Sequence, residues 1–191
     1  MERMQARSMT LNGSVIARPG LEHLVGGVRA AVDRHAGWQR TASLVAGVLE
    51  ERLPGPDILT VEEQTGDPAG YQSHLLHVEP DGSFSVLAVV WRTGQVTAIH
   101  DHVTWCVVGV LRGVEHEERF ECPTGDHLVR VGESANAEGS VTGFAPPGDI
   151  HRVCNPNQLT TISLHVYGTD VSRIGSSVRR EYDLPIRSAG R

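Results

Sequence analysis

His100 and His102 stand one residue apart in the stretch Ala98-Ile99-His100-Asp101-His102-Val103-Thr104. Side chains alternate along a strand, so both imidazoles leave one face and Asp101 leaves the other. Two neutral imidazoles on a common face suit two ligands of one metal ion. Spacing alone does not carry that conclusion, because a histidine pair on a strand is more often a solvated or hydrogen-bonded face. Cys106, Cys122 and Cys154 are odd in number and form no Cys-x-x-Cys pair. They indicate neither a disulfide framework nor a four-thiolate zinc site.

The elements that must position these side chains are legible in outline. Apolar residues recur at helical spacing from Leu21 to Ala36 and from Trp38 to Leu53, and the second run stops before Pro54, which cannot continue a helix. Beyond Gly55 the chain turns to short runs of Val, Ile, Leu and aromatics, broken by turn signals such as Pro80-Asp81-Gly82 and Thr93-Gly94. Strands are expected at Tyr71 to Val78, Phe84 to Trp91, Val96 to His100, Trp105 to Leu111, Val114 to Phe120, His127 to Val131, Val141 to Ala145, His151 to Asn155 and Thr160 to Tyr167. Many short strands without helical crossovers predict a mainly β protein, an antiparallel sandwich or barrel of which the jelly roll is one solution. The expected organisation is a helical extension over 1–55, a barrel over 56–170 and an arm over 171–191 that packs on the barrel as a lid or extended segment. All three belong to one structural domain, as the length of 191 residues suits a single core.

Bulk properties exclude some functions. A formal charge of −6 leaves no basic footprint for nucleic acid or an anionic membrane. The opening MERMQARSMTLNGSV has no continuous apolar core of a signal peptide, and no apolar run is long enough to span a bilayer, so a cytoplasmic location is expected.

The wider setting of the histidine pair narrows the reading. It runs Gly94, five residues, His100-x-His102, three residues, Cys106, six residues, Gly113. Downstream stand Pro146-Pro147-Gly148, His151 and Asn155. These segments resemble the two motifs of the cupins, with Cys106 where cupins normally carry Glu, and with the glycine upstream of the second motif displaced by one residue, at Gly139. The resemblance implies a cupin jelly-roll barrel, preceded by short helices, that brings His151 opposite His100 and His102. Three neutral nitrogen donors on one side of a metal leave open positions, an arrangement known for oxygen-activating iron(II), although two His and one carboxylate is commoner. A third His removes a negative charge that an anionic thiolate substrate then supplies. Fe(II) is the expected cofactor, and Zn(II), which three histidines also suit, is the alternative.

The segments HDHVTWCVVGVLRGVEHE, PPGDIHRVCNPN and TISLHVYG are similar to the cysteine dioxygenase family, especially its bacterial members, over roughly Tyr71 to Tyr167. That resemblance implies Fe(II) held by three histidines and a hydrogen-bond relay of Ser163, His165 and Tyr167. Their i, i+2, i+4 spacing places all three on one strand face, where the bland alternative is a polar face meeting solvent. Cys106 occupies the position at which animal-type members form a thioether with the relay tyrosine. A Cys106–Tyr167 crosslink is therefore one expectation and a buried, inert cysteine the other. The chain has one residue fewer between His102 and Cys106 than the animal-type pattern.

The substrate code departs from the family. Cysteine-selective members carry arginine two residues after a tyrosine, and mercaptopropionate-preferring members tend to carry glutamine; here the segment is Tyr71-Gln72-Ser73-His74. Ser73 offers one neutral hydrogen bond in place of a charged fork. Arg180 is the preferred carboxylate partner, with Arg173, Arg179, Arg92 and Arg152 further candidates and Arg152 expected to face away from the metal. Tyr71 and His74 are expected to line the pocket. The expected reaction adds O2 to the sulfur of a small thiol, with L-cysteine to cysteine sulfinate leading and 3-mercaptopropionate second. Other outcomes are a cupin that oxidises or rearranges cysteine to another product, a zinc-dependent isomerase, and a non-catalytic metal- or ligand-binding cupin. The expected partners are a small-molecule thiol and O2, with no nucleic acid, no membrane and no obligate protein partner. Cys154 is expected to be structural, and His23, His35, His77, His116 and His127 to lie at the surface.

Overall fold

The computed structural model describes residues 17–188. Residues 1–16 and 189–191, parts of the expected N-terminal extension and C-terminal arm, lie outside the described residues. Two helices come first, α1 (Leu21–Val32) and α2 (Trp38–Arg52). The first ends short of Ala36 because Asp33 closes it and His35 takes a positive φ of 50°, which a right-handed helix cannot contain.

The strands are β1 (Gln72–Val78), β2 (Ser85–Trp91), β3 (Ile99–His102), β4 (Cys106–Arg112), β5 (Val114–Glu121), β6 (Leu128–Ala137), β7 (Val141–Phe144), β8 (His151–Cys154) and β9 (Thr161–Tyr167). A single-turn helix α3 (Val171–Ile174), β10 (Val178–Tyr182) and β11 (Ile186–Arg187) follow. One sheet runs β1-β2-β9-β4-β7 and the other β10-β3-β8-β5-β6-β11. Pairing is antiparallel throughout except for β11 on β6. Sequence-distant strands lie side by side, as a jelly roll requires, and the fold is of that class.

The helices cover the outer face of the first sheet. Leu24, Val28, Val45 and Leu49 pack there against Val86, Val107, Leu164 and Val166, all fully buried. Burying each such side chain contributes roughly 1.5–3 kcal/mol. Gly109 permits the close approach, since a Cβ there would sit 2.4 Å from Leu53 Cδ1. Gly113, at φ +80°, makes the β4–β5 turn, where a Cβ would meet Thr161 Oγ1 at 2.7 Å. With the outward residues of β9 committed to this core, Ser163, His165 and Tyr167 face inward.

One expected strand needs correction. The strand expected over Val96 to His100 is β3, Ile99–His102, and Val96 makes only an isolated bridge to Cys154. The expected C-terminal arm contributes β10 to the second sheet beside β3 and β11 beside β6. Its Val-Arg-Arg-Glu-Tyr sequence lacks the apolar alternation that marks a strand, because β10 lies at a sheet edge and is largely exposed. No helix among the described residues is long and apolar enough to cross a membrane.

Candidate metal centre

Three imidazoles converge inside the barrel. His100 and His102 leave β3 on one face, and His151 of β8 is the cross-strand partner of His100. All three are buried, and one nitrogen from each lies within 4.8 Å of the others. Their ring centroids are 4.7–5.0 Å apart. Asp101 points to the opposite face, where Arg179 and the Tyr182 hydroxyl bind it and so fasten β10 to β3.

Each ring is held by its other nitrogen. Nδ1 of His100 lies 3.0 Å from the Ala98 carbonyl, Nδ1 of His102 lies 3.1 Å from Asp149 Oδ2, and Nδ1 of His151 lies 2.7 Å from Glu117 Oε1. An acceptor at Nδ1 fixes the proton there and leaves the Nε2 lone pair for the centre. The Nε2 of His151 is buried without a hydrogen-bond partner. A buried orphan nitrogen costs about 1–3 kcal/mol unless something binds it, and a cation held between His151 and the other two rings relieves that cost. Burial, then the neighbouring charges of His151 and His102, pushes His100 down to about 3, so it is neutral, as a metal ligand must be. Burial would raise both Asp149 and Glu117, yet each is held below its ordinary value by its histidine. These residues fit a divalent cation.

Beside the three rings runs a hydrogen-bonded chain. Ser163 Oγ is 2.9 Å from His165 Nε2, and His165 Nδ1 is 3.1 Å from the Tyr167 hydroxyl. Trp91 Nε1 donates to Ser163 Oγ at 3.0 Å. The Tyr167 ring centroid is 6.0 Å from that of His102. Burial and then the three ligand-set histidines push His165 down to about 3. Burial and the nearby Cys106 push the Tyr167 phenol well up, with a hydrogen bond from Ser177 working the other way. Cys106 is buried and is the cross-strand partner of Tyr167; burial pushes its thiol strongly up, and the neighbouring Tyr167 partly offsets that push.

Several residues at this site escaped the sequence reading. Asp149, Glu117, Glu115, Trp91 and Ser177 all reach it. The signal for two of them was present, since Glu115 and Glu117 are two apart and must share a strand face. The charged run Val114-Glu115-His116-Glu117-Glu118-Arg119 reads as a solvent face, but β5 turns both carboxylates inward, where they are buried.

The proposed substrate contacts divide. Tyr71 is half-buried and packs on Trp91 with ring centroids 4.6 Å apart, and burial followed by the charge of Glu181 raises its phenol. Ser73 pairs with Val89 on the inward face of β1 but is exposed. His74 pairs with Ala88 of the helix-side core, and its Nδ1 lies 3.8 Å from Glu63 Oε1, so it leaves the opposite face and does not line the pocket. Arg180 also faces away. It pairs with Asp101 rather than with a ligand histidine, stacks over the Tyr182 ring at 4.5 Å, and lines an outer cavity of about 440 Å³ with Phe120, Cys122 and Ile150. Arg152 is directed outward onto Glu118. The alternation along β5 instead puts Arg119 on the same side of the sheet as Glu117 and across from His151, and Glu181 is the cross-strand partner of His100 on the other side; both side chains are exposed, and the Arg119 guanidinium lies over Gly132.

A family model described as cysteine dioxygenase type I matches residues 64–180. Solved structures similar to the chain include the protein TT1209 of Thermus thermophilus, at 19% identity over 54% of this chain and 87% of that one, with a TM-score of 0.44. A cupin 2 conserved barrel domain protein from Salinispora arenicola shows 18% identity over 55% and 82%, with a TM-score of 0.40. A recombinant oxalate oxidase in complex with glycolate shows 18% identity over 56% of this chain and 54% of that one, with a TM-score of 0.44. Family assignment rests on the match over residues 64–180 and not on these likenesses.

Proposed function

The chain belongs to the cysteine dioxygenase type I family, and from that membership we propose that it is an iron(II)-dependent thiol dioxygenase converting a small thiol to its sulfinate, with L-cysteine as the leading substrate. The observation that carries this reading is the pairing of three Nδ1-anchored imidazoles with the Ser163–His165–Tyr167 chain in one buried site. His100, His102 and His151 would hold the iron, which when bound supplies the redox chemistry that joins a thiolate and dioxygen.

The protein's own residues arrange the reaction. Asp149 and Glu117 fix the ligand rings and raise their basicity. Tyr167 Oη, backed by His165 Nδ1, offers one hydrogen bond toward the reacting atoms, and Ser163 sets the His165 ring. Phe144, with its ring 5.0–5.1 Å from His151 and His102, excludes water on that side.

Charge recognition favours a thiol bearing both an amine and a carboxylate. Arg119 and Glu181, both with exposed side chains, flank the His151–His100 pair in one cross-strand row, and Arg119 has no ion-pair partner among the described residues. A second reading, an aminothiol without a carboxylate, is favoured by Glu181 beside Tyr71 and by the outward turn of Arg180. Oxygen uptake by iron-loaded protein, with L-cysteine, 3-mercaptopropionate and 2-aminoethanethiol compared and products identified by mass spectrometry, separates the readings. Tyr167→Phe should slow turnover by about 100-fold with little change in KM. Iron-loaded protein that consumes no oxygen with any of the three thiols would overturn the proposal.

A further inference from the structure

Glu115 is a buried acid inside the barrel for which neither the ligand set nor the relay accounts. Its side chain is fully enclosed, and Oε2 has no hydrogen-bond partner and lies 3.9 Å from Nε2 of His165. The hydroxyl of Ser163 is the neighbour that draws its acidity back toward the ordinary range, while burial pushes the carboxyl up to about 7. A carboxyl so placed is within reach of the inner end of the Ser163–His165–Tyr167 chain. The charged and titratable groups around it are Glu117 on its own strand, His151 and Cys154 on β8, His165 and Tyr167 on β9, and Cys106 on β4.

Counting donors and acceptors shows what that position does. Ser163 Oγ has one proton and two lone pairs, one of which accepts from Trp91 Nε1. When Glu115 is ionised, the Ser163 hydroxyl turns to donate to it. His165 then donates from Nε2 to Ser163, its Nδ1 becomes an acceptor, and the Tyr167 proton points inward at that nitrogen. When Glu115 carries a proton, every link reverses. The carboxyl donates to Ser163, Ser163 donates to His165 Nε2, His165 donates from Nδ1 to the Tyr167 oxygen, and the Tyr167 hydroxyl is free to donate toward the reacting atoms.

We propose that Glu115 is a positioning residue and proton reservoir at the buried end of the relay, and that its protonation decides which way the Ser163–His165–Tyr167 chain points. The balance closes on one proton. Release of the Tyr167 proton toward the site draws the His165 Nδ1 proton to Tyr167, the Ser163 proton to His165 Nε2, and the Glu115 proton to Ser163. The end state is the ionised arrangement described above, with no electrons moved and no other group charged. Thiolate plus dioxygen gives sulfinate without net proton uptake, so the proton returns to Glu115 along the same links. The catalytic consequence rests on the dioxygenase reading, whereas the coupling between Glu115 and the His165 tautomer does not.

That coupling is measurable without turnover. The full-length chain is loaded with diamagnetic Zn(II), and the two ring nitrogens of His165 are followed by nitrogen-15 NMR from about pH 5.5 to about pH 8.5. The His165 proton should move from Nδ1 to Nε2 as pH rises across this range. In Glu115→Gln, which keeps the shape of the side chain but cannot ionise, the tautomer should stay fixed across the range. Ser163→Ala should also fix it, by cutting the link while leaving Glu115 titratable. A wild-type tautomer that does not change, or one that switches equally in either variant, overturns the proposal. Loss of oxygen uptake in wild-type iron protein with an intact tautomer switch would count against the proposed reaction and leave this coupling standing.

Discussion

Glu117 and His151 come from different strands, 34 residues apart in the chain, and meet as a buried pair with Oε1 2.7 Å from Nδ1. The contact fixes the ring, and the ring in turn holds the carboxylate ionised despite its burial. Removing the negative charge with Glu117→Gln should therefore weaken metal binding by about tenfold or more. Competition against a chromophoric chelator reads this directly, and unchanged affinity would show that the pair is structural only.

Cys106 and Tyr167 are buried cross-strand partners in adjacent strands. Iron-loaded protein exposed to air and thiol should acquire a thioether, with one hydrogen lost from each partner and the electrons passed to oxygen. Intact-mass analysis should show that loss in the wild type and none in Cys106→Ser. A wild-type mass that never changes would leave Cys106 as a buried hydrophobe.

The carboxylate of the substrate should depend on Arg119, the exposed arginine across from His151, and not on the one in the C-terminal strand. Arg119→Ala should raise KM for L-cysteine by about tenfold while leaving KM for 2-aminoethanethiol within about twofold. Arg180→Ala, removing a residue stacked on Tyr182 at the outer surface, should change neither. The reverse pattern would return the role to Arg180.

The buried Glu115 gives stability a pH dependence of definite sign. Its folded value of about 7 lies above the ordinary 4.5, so between those limits the folded state binds a proton that the unfolded chain has lost. This group's contribution to stability is therefore most favourable below about 4.5, declines as pH rises to about 7, and is level above that. Chemical denaturation of wild type and Glu115→Gln should show the variant gaining on the wild type across that window. Parallel curves would contradict the raised value.

Whereas His151 was reached only through the motif around it, the shared face of His100 with His102, and that of Ser163, His165 and Tyr167, were legible because both rest on period-two spacing, which a strand converts directly into a shared face. Their supports were not. Asp149 and Ser177 meet the site only through the folding of long connections, and Glu115 and Glu117 sit in a charged run whose inward turn follows from the barrel having a polar interior. Arg180 was misplaced for a related reason. In β10 an irregular register between Val178 and Arg180 decides which residues face the histidines, and that irregularity leaves no mark in the composition.

His100, His102 and His151 should hold one iron at which a thiol receives both atoms of dioxygen. Turnover of L-cysteine by iron-loaded protein under heavy-isotope dioxygen, followed by mass spectrometry of the product, reads this out. The expected product is a sulfinate carrying both labelled atoms and none from water, lost when the three histidines are replaced by alanine. A sulfinate with one atom from water, or labelled product undiminished in the triple variant, would contradict it.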